Sequence, residues 1–216
     1  MLLGGVRMKK NTKETIIQAA ITLFNSNGYS GTSIRDIASS AKVNSATVAY
    51  YFENKLGLLE HCFTFFFEQY LGIIEEESVK VGQGAKECLK RIIARLISYQ
   101  CENIPLASLV YREMSMDSQV VREIMSTYNL KEKYYFQKIF EVGFGRKEFR
   151  PHSIPYLIIQ LKGLLMMPFM NAHYIREVLY IFPNERFFEQ KYINELNRWV
   201  NNTLCEEVIV KKEAYL

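Results

Sequence analysis

The stretch that decides the fold runs from residue 28 to residue 61 and reads GYSGTSIRDIASSAKVNSATVAYYFENKLGLLEH. A first helix is expected to begin at Thr32 or Ser33, because Asp36 lies three residues after Ser33 and the two can form a capping box. The letters KVN predict a short turn, and Asn44 is well suited to cap a second helix. The stretch therefore predicts helix, short turn, helix, which is the pattern of a helix-turn-helix unit.

The second of these helices is barely two turns long. Val48 and Phe52 lie four residues apart, so both are expected to face inward. A helix too short to build a core alone fits one that lies in the major groove of DNA. Small side chains at its N-terminal end would approach base edges, and the tyrosines that follow would reach phosphates. These residues are Ser45, Ala46 and Thr47, followed by Tyr50 and Tyr51.

The same stretch resembles the DNA-binding segment of TetR-family regulators, and the match runs from about Thr12 to Leu59. Its motif combines a glycine turn, a Thr-Ser cap, Ile-Ala, an aromatic-aromatic-Phe run and Asn-Lys. The resemblance implies an all-α homodimer with a helix-turn-helix DNA-binding domain at 1–54. A larger helical bundle at 55–216 would regulate and dimerise. The chain departs from the family at Ala49, where a tyrosine usually stands, and this removes one usual DNA contact.

Carried over residue by residue, the resemblance implies a set of DNA-binding positions. Arg35 in the first helix would reach a base or a phosphate. Lys55 would hold a phosphate beside the positive N-terminus of the helix that follows. The full set is Thr32, Ser33, Arg35, Asn44, Ser45, Ala46, Thr47, Tyr50, Tyr51 and Lys55.

The distribution of charge points to the same end of the chain. Residues 1–60 hold seven Lys or Arg and four Asp or Glu, whereas the remaining 156 residues hold twenty and nineteen. A polyanion would therefore bind the first quarter. The four cysteines show no CxxC spacing and no neighbouring histidine cluster, so neither a metal nor a redox pair is expected. Scattered single cysteines fit reduced core residues of a cytoplasmic protein. DNA binding would make it nucleoid-associated.

Enzymatic function is not expected, since the sequence has no phosphate-binding Gly loop, no GxSxG, no HExxH and no acid pair. No catalytic residue and no cofactor is predicted. The N-terminal letters MLLGGVRMKK hold an apolar run too short for a signal peptide, and Met8 is a second candidate start beside Met1.

The most apolar stretch of the chain reads IPYLIIQLKGLLMMPFM. Lys162 stands in its middle, and Pro155 and Pro168 lie near its ends, so a buried helix is expected and not a membrane span. Lys162 could pair with a carboxylate, reach water at a dimer seam, or form the polar floor of a pocket. The sequence does not choose among these three.

Residues 56–216 predict a series of helices with short joints. TetR-family proteins dimerise through two C-terminal helices of each subunit, and the helix after Pro155 and the last helix are the natural candidates. The alternative is that both apolar stripes are intramolecular core. The predicted interface residues are Leu161, Leu164, Leu165, Ile193, Leu196, Trp199 and Val200.

Several C-terminal segments resemble more closely the RefZ type of this family, DNA-binding regulators of the division protein FtsZ in sporulating Bacillus-like bacteria. They are VYREMSMDSQVVREIM, NLKEKYYFQKIFEVGF, QLKGLLMMPFM and IREVLYIFPNE, whereas the tail CEEVIVKKEAYL lies outside the resemblance. It implies FtsZ as a partner and a role in division-ring placement and chromosome capture during sporulation. A candidate partner face consists of Arg112, Glu113, Arg122 and Glu123, for which a solvated face is the default.

The alternative function is a repressor that a small lipophilic effector releases from its operator. A run of aromatic residues, Phe63, Phe65, Phe66, Phe67 and Tyr70, could line an effector pocket. Aromatic stripes at helical spacing more often form core. The two functions make different demands on the larger domain, which must present either a protein-docking face or a cavity.

Overall fold

The structure is a computed structural model that describes residues 11–205. Both candidate start methionines and nearly all of the C-terminal tail lie outside the described residues. Within the described range the chain is all-α, as predicted, and contains no strand. None of its helices is both long and apolar enough to cross a membrane.

Nine α-helices make up most of the described chain. They are α1 Thr12–Asn27, α2 Ile34–Ala41, α3 Ser45–Phe52, α4 Lys55–Ser78, α5 Ala85–Glu102, α6 Ile104–Ser115, α7 Gln119–Gly145, α8 Ile154–Met170 and α9 Arg186–Trp199. A short 3₁₀ turn spans Val81–Gln83, and single π-helical turns span Tyr174–Val178 and Val200–Leu204.

The helix starts of the N-terminal domain are set by side-chain caps. Ser33 and Asp36 form the predicted capping box at the start of α2. The Asn44 side chain accepts a hydrogen bond from the Thr47 N–H at 2.7 Å and caps α3. Asn54 caps α4 in the same way. Each cap satisfies an N–H that a helix leaves unpaired, so short polar residues define all three starts.

The two domains share α4. Leu58 and Leu59, in its first turns, are buried, and this part of α4 contacts α1 and α3. The rest of the helix carries Phe66 into the larger domain, where its ring lies 5.4 Å from Tyr99 and 5.5 Å from Tyr111 between centroids. Helix α4 therefore connects the helix-turn-helix unit to the bundle.

Most of the aromatic run on α4 is core and does not line a pocket. The side chains of Phe63, Phe66, Phe67 and Tyr70 are buried, and only Phe65 is exposed. Burial of several aromatic rings in contact with one another makes this part of α4 the centre of the larger domain. The core interpretation holds for four of the five residues.

Residues 174–182, whose letters YIREVLYIF predict one of the helices of the larger domain, do not form a regular helix. Only the π-helical turn Tyr174–Val178 forms there, and Tyr180 adopts a left-handed backbone conformation with φ 53°. Such a φ is unfavourable for a non-glycine residue and ends helical geometry. Residues 179–185 therefore connect α8 to α9 as irregular chain.

Glu77 at the end of α4 is the centre of an ion cluster that joins α4 to α5. Its side chain is buried, and it accepts hydrogen bonds from Arg91 Nε at 2.8 Å and Arg95 Nη1 at 3.0 Å. The hydrogen bond from Arg91 is the largest of the effects that lower the pKa of the Glu77 carboxyl from its usual 4.5. Arg95 also binds Glu76, which is largely exposed.

Glu77→Gln should lower the free energy of unfolding at pH 7 by about 1–3 kcal/mol, because buried charge-assisted hydrogen bonds are lost. A carboxyl whose pKa is lowered by folding stabilises above its unfolded pKa and loses that effect as the pH falls through the folded value. Urea unfolding at pH 7 and at a series of pH values below 4.5 should therefore show the two proteins converging as the pH falls. Glu76→Gln is the matched control. An equal loss of unfolding free energy in that variant would contradict the stabilising role given to Glu77.

Candidate nucleic-acid interface

Helix α3 is anchored on one side and open on the other. Val48 and Phe52 are buried against the rest of the small domain, as predicted. Ser45, Ala46 and Ala49 are exposed along the opposite side. The helix thus presents small side chains outward at its N-terminal end, so its backbone can approach a ligand surface closely.

Two tyrosines border this open side. Tyr50 is 83% exposed, and Tyr51 is about half as exposed. Their rings meet edge to face with centroids 5.2 Å apart. Tyr50 buries little of its surface on folding, and its exposed hydroxyl can donate to an external acceptor.

Helix α2 contributes one exposed cation and a fixed carboxylate. The Arg35 side chain is exposed. Asp36 accepts hydrogen bonds from the Ser33 N–H at 2.8 Å and the Ser33 hydroxyl at 2.6 Å, and these bonds lower the pKa of its carboxyl. Ser33 is therefore engaged as a cap, although it remains exposed. Lys42, which is not among the predicted DNA-binding residues, is exposed in the turn between α2 and α3 with φ 57°.

Two of the predicted DNA-binding side chains form hydrogen bonds within the small domain. Thr32 is buried, and its hydroxyl donates to the carbonyls of Gly28 at 2.8 Å and Leu23 at 3.2 Å. The Lys55 Nζ donates to the carbonyls of Tyr29 at 2.9 Å and Thr32 at 3.0 Å and lies 4.3 Å from the centroid of the Tyr29 ring. Both side chains hold the turn that follows α1, so each has a structural role within the domain besides the DNA contact predicted from the sequence.

Arg112, predicted on a partner face, instead joins the two domains. Its guanidinium donates to the carbonyls of Phe24 at 2.6 Å and Asn25 at 3.2 Å at the end of α1. The Asn25 side chain in turn donates to the carbonyl of Pro105 at the start of α6. Carbonyls at the end of a helix lack helical partners and carry partial negative charge, so an arginine is a favourable ligand for them.

The other members of the candidate partner face divide into two kinds. Glu113 is largely buried and lies beside Arg112, whereas Arg122 and Glu123 are exposed on α7. Arg122 pairs with Asp117 at 3.1 Å, and Glu123 accepts a hydrogen bond from Gln119. The four residues therefore do not form one continuous free surface.

The predicted dimer stripes lie mainly in the core of the single subunit. Leu161, Leu165, Leu196 and Val200 are buried within it. The partly buried residues Leu164, Ile193 and Trp199 pack against that core. The intramolecular alternative therefore fits the four buried residues, because that side of each helix packs against its own bundle.

A second apolar surface lies on the other side of α8. We define the outer face of α8 as Tyr156, Ile159, Gly163, Met167 and Met170, all of which are exposed. The exposed apolar side chains continue into the connection that follows. They are Tyr174, Val178, Leu179, Tyr180, Ile181 and Phe182.

A cavity of about 930 Å³ opens between α7 and the N-terminal part of α8. Ile154, Pro155 and Ile158 line it on α8, and Lys162 lies at its polar end. The Lys162 Nζ donates to the Glu132 carboxylate, which also accepts a hydrogen bond from the Tyr70 hydroxyl at 3.0 Å. Of the three roles open to Lys162 in the sequence, the structure combines pairing with a carboxylate and lining a cavity.

Comparisons with known proteins agree with this geometry. Residues 16–62 match the family described as bacterial regulatory proteins, tetR family. The chain is 44% identical over 196 residues to the probable HTH-type transcriptional regulator YttP of Bacillus subtilis, covering 90% of this chain and 95% of that protein. Over a shorter stretch of 60 residues the chain is 38% identical to IcaR, the biofilm operon icaADBC HTH-type negative transcriptional regulator of Staphylococcus epidermidis. This match covers 32% of that protein.

Solved structures share the fold. A tetR-family regulatory protein from Rhodococcus RHA1 superposes with a TM-score of 0.72 at 19% identity, covering 92% of this chain and all of the other. HlyIIR, a hemolysin II transcriptional regulator, gives a TM-score of 0.62 at 24% identity over 85% of this chain and 96% of its own. With the long match to YttP and the tetR-family match over the helix-turn-helix, these findings show that the chain belongs to the TetR family of bacterial transcriptional regulators.

Proposed function

We propose that this protein binds palindromic sites in chromosomal DNA as a homodimer and regulates transcription at the bacterial nucleoid. The observation that carries the proposal is the open side of α3, where Ser45, Ala46 and Ala49 are exposed while Val48 and Phe52 anchor the helix. A recognition helix needs small exposed side chains at its N-terminal end, since its backbone lies close to the base edges. Tyr50 and Arg35 would contact phosphates or bases beside it.

The homodimer would form through the outer face of α8 and the apolar connection after it. Tyr156 and Ile159 are each about two-thirds exposed in the single subunit. So many exposed apolar side chains along one helix and the connection after it are unusual on a monomer and fit a subunit interface. A two-fold axis through this surface would pair two helix-turn-helix units, as a palindromic site requires.

A genome-wide map of sites bound by the purified protein on fragmented chromosomal DNA tests the proposal. The expected result is a small set of sites with a shared inverted repeat. Their positions discriminate between two finer functions. A dominant site that overlaps the protein's own promoter or a transporter promoter favours a conventional repressor. Sites away from promoters at defined chromosomal positions favour a positional role. Binding without a shared repeat would contradict the proposal.

Arg35→Ala is expected to weaken binding to the selected site by about 1–3 kcal/mol if the guanidinium contacts a base. If it contacts a phosphate, the slope of log affinity against log salt concentration should fall by about 1 and sequence preference should stay.

Tyr50→Phe should weaken binding without changing the fold, because only an exposed hydroxyl is removed. Fluorescence anisotropy over a salt series measures the DNA affinity of both variants. Lys138→Ala, at an exposed position of α7, is the control. Unchanged binding removes the residue from the interface.

The first finer candidate is an effector-released repressor, which the cavity between α7 and α8 supports. A ligand that binds one arrangement of the bundle more tightly would move α4 and increase the separation of the two helix-turn-helix units. The fall in DNA affinity would be set by how much more tightly the ligand binds one arrangement than the other. A compound that raises thermal stability and also releases DNA would support this candidate.

The second finer candidate is a regulator of cell division that acts on FtsZ during sporulation. Its support is the resemblance of the C-terminal segments to RefZ-type proteins, and the names of the relatives above mention no division role. Of the candidate partner residues, Arg122 and Glu123 remain exposed on α7. Capture of purified FtsZ by the DNA-bound dimer would support this candidate. The absence of binding at micromolar concentrations of both proteins would count against it.

A further inference from the structure

We propose that the cavity between α7 and α8 binds a single-chain amphiphile with an anionic head group, and that Lys162 is its anchor. The cavity has two unlike ends. Its apolar part is formed by Phe144, Ile154, Pro155 and Ile158, together with Ile159, which also belongs to the outer face of α8. At about 930 Å³ it is large enough for a ligand with a long hydrocarbon chain.

The polar end carries an excess of positive charge. Lys162 and Lys133 line it, and Glu132 contributes the only carboxylate among the described lining residues. An anionic head group is therefore favoured over a cationic one, which would meet two ammonium groups in a partly desolvated site.

Lys162 is the lining cation that is both fixed and accessible. Its partner Glu132 is 5% exposed, so the carboxylate is removed from water and is compensated by Lys162 and by the Tyr70 hydroxyl. The Lys162 side chain keeps 27% of its surface exposed. An ammonium group has three donors, so Lys162 can donate to a second anion in the cavity while Glu132 holds its position.

The same contacts give the ligand a route to the DNA-binding domain. Tyr70 belongs to α4, Glu132 to α7 and Lys162 to α8, so one hydrogen-bonded chain joins three helices. Burial raises the pKa of the Tyr70 hydroxyl well above its usual value, so Tyr70 stays a neutral donor to Glu132. An anion that draws Lys162 into the cavity would weaken its pairing with Glu132 and change how α7 holds α4. This second step rests on the proposed function, whereas binding does not.

The test uses isothermal titration calorimetry of the full-length protein with three probes that share a twelve-carbon chain. Dodecanoate and dodecyl phosphate carry anionic heads of different chemistry, and dodecyltrimethylammonium carries a cationic head. All are used below their critical micelle concentrations. We expect saturable binding of one or both anions and weaker or no binding of the cation. The preferred anion identifies the head group as carboxylate or phosphate. Equal binding of the anions and the cation, or no binding of either anion, would overturn the proposal.

The role of Lys162 is tested with paired variants. Lys162→Met alone would leave buried Glu132 without its cation, so the double variant Lys162→Met with Glu132→Gln removes both charges together. It should bind the preferred anion about tenfold or more weakly, the change expected when a charge-assisted hydrogen bond is lost. Lys138→Met on the exposed side of α7 should bind normally. Unchanged affinity in a folded double variant would overturn the assignment of Lys162.

The coupling to DNA is measured separately, by anisotropy of labelled operator DNA with and without the preferred anion. A lower DNA affinity in wild type that is lost in the double variant supports the coupling. If the anion binds in calorimetry and DNA affinity does not change, the coupling fails while the binding site stands. If the protein binds no specific DNA at all, the proposed function fails independently of the cavity.

Discussion

Replacing Gly163 by glutamate is expected to convert the homodimer into a folded monomer. Gly163 lies at the middle of the outer face of α8, with Ile159 one turn before it and Met167 one turn after it. A side chain built at this position meets no atom within 4 Å in the subunit, so the fold has room for it. In a helix interior glutamate is favoured over glycine by several tenths of a kcal/mol, which should keep the subunit stable.

The same substitution is costly in a subunit interface. Two copies of a bulky carboxylate would be brought together across the two-fold axis and buried among apolar side chains. Loss of the dimer removes the second helix-turn-helix unit, so the affinity for a palindromic site should fall by about a hundredfold or more. The affinity for a single half-site should change little.

Light scattering of the purified variant gives its mass, and anisotropy with full and half-site DNA gives its affinities. Gly145→Glu is the matched control, because it adds the same charge at an exposed glycine of α7 with no atom within 4 Å. It should remain dimeric and bind DNA normally. A Gly163→Glu protein that stays dimeric would show that the outer face of α8 is not the interface.

The helix-turn-helix unit could be predicted from sequence because its signals are local. The Ser33–Asp36 capping box and the Asn44 cap each connect residues three apart, and the structure contains both. Val48 and Phe52 face inward for the same reason, since helical spacing alone places them. Starts and inner faces of short helices depend on little beyond the nearest turn.

The dimer surface could not be predicted from the same kind of pattern. Helix α8 is apolar on more than one side, so its sequence offers both Leu161 and Ile159 as candidates. Leu161 is buried in the subunit and Ile159 is 65% exposed. Periodicity identifies an apolar face, but it does not say whether that face packs within the chain or against a second copy.

Three charged residues make long-range contacts that the sequence pattern could not indicate. Lys55 reaches carbonyls 23 and 26 residues away, and Arg112 reaches carbonyls 87 and 88 residues away. Lys162 meets Glu132 across 30 residues. A charged side chain in a sequence gives no sign of its distant partner. Lys55 and Arg112 are both half-buried, and each binds backbone carbonyls that no local pattern could indicate.

Replacing Ala46 by glutamate should abolish sequence-specific DNA binding. Ala46 is the second residue of α3 and is exposed at the end that would face base edges. Glutamate there adds volume and negative charge where the helix must lie in a groove bordered by phosphates. Specific sites typically exceed non-specific ones by about a thousandfold or more, and an affinity loss of that order is expected.

The fold should tolerate this change. Acidic residues in the first turn of a helix interact favourably with its dipole, and the Asn44 cap on the Thr47 N–H is left in place. Thermal unfolding should therefore match that of wild type, and light scattering should still give a dimer. Ala46→Ser should keep most of the affinity, because a small side chain still allows close approach of the backbone.

A charge-matched control separates contact from general electrostatics. Thr127→Glu places the same charge on an exposed position of α7 in the larger domain. Long-range repulsion between a single exposed charge and DNA is largely screened beyond about 8 Å at physiological salt, so this variant should bind almost as wild type does. If Ala46→Glu and Thr127→Glu lose the same small amount, α3 does not enter the groove. The DNA surface would then have to be sought elsewhere on the small domain, beginning with the exposed Arg35 and Lys42.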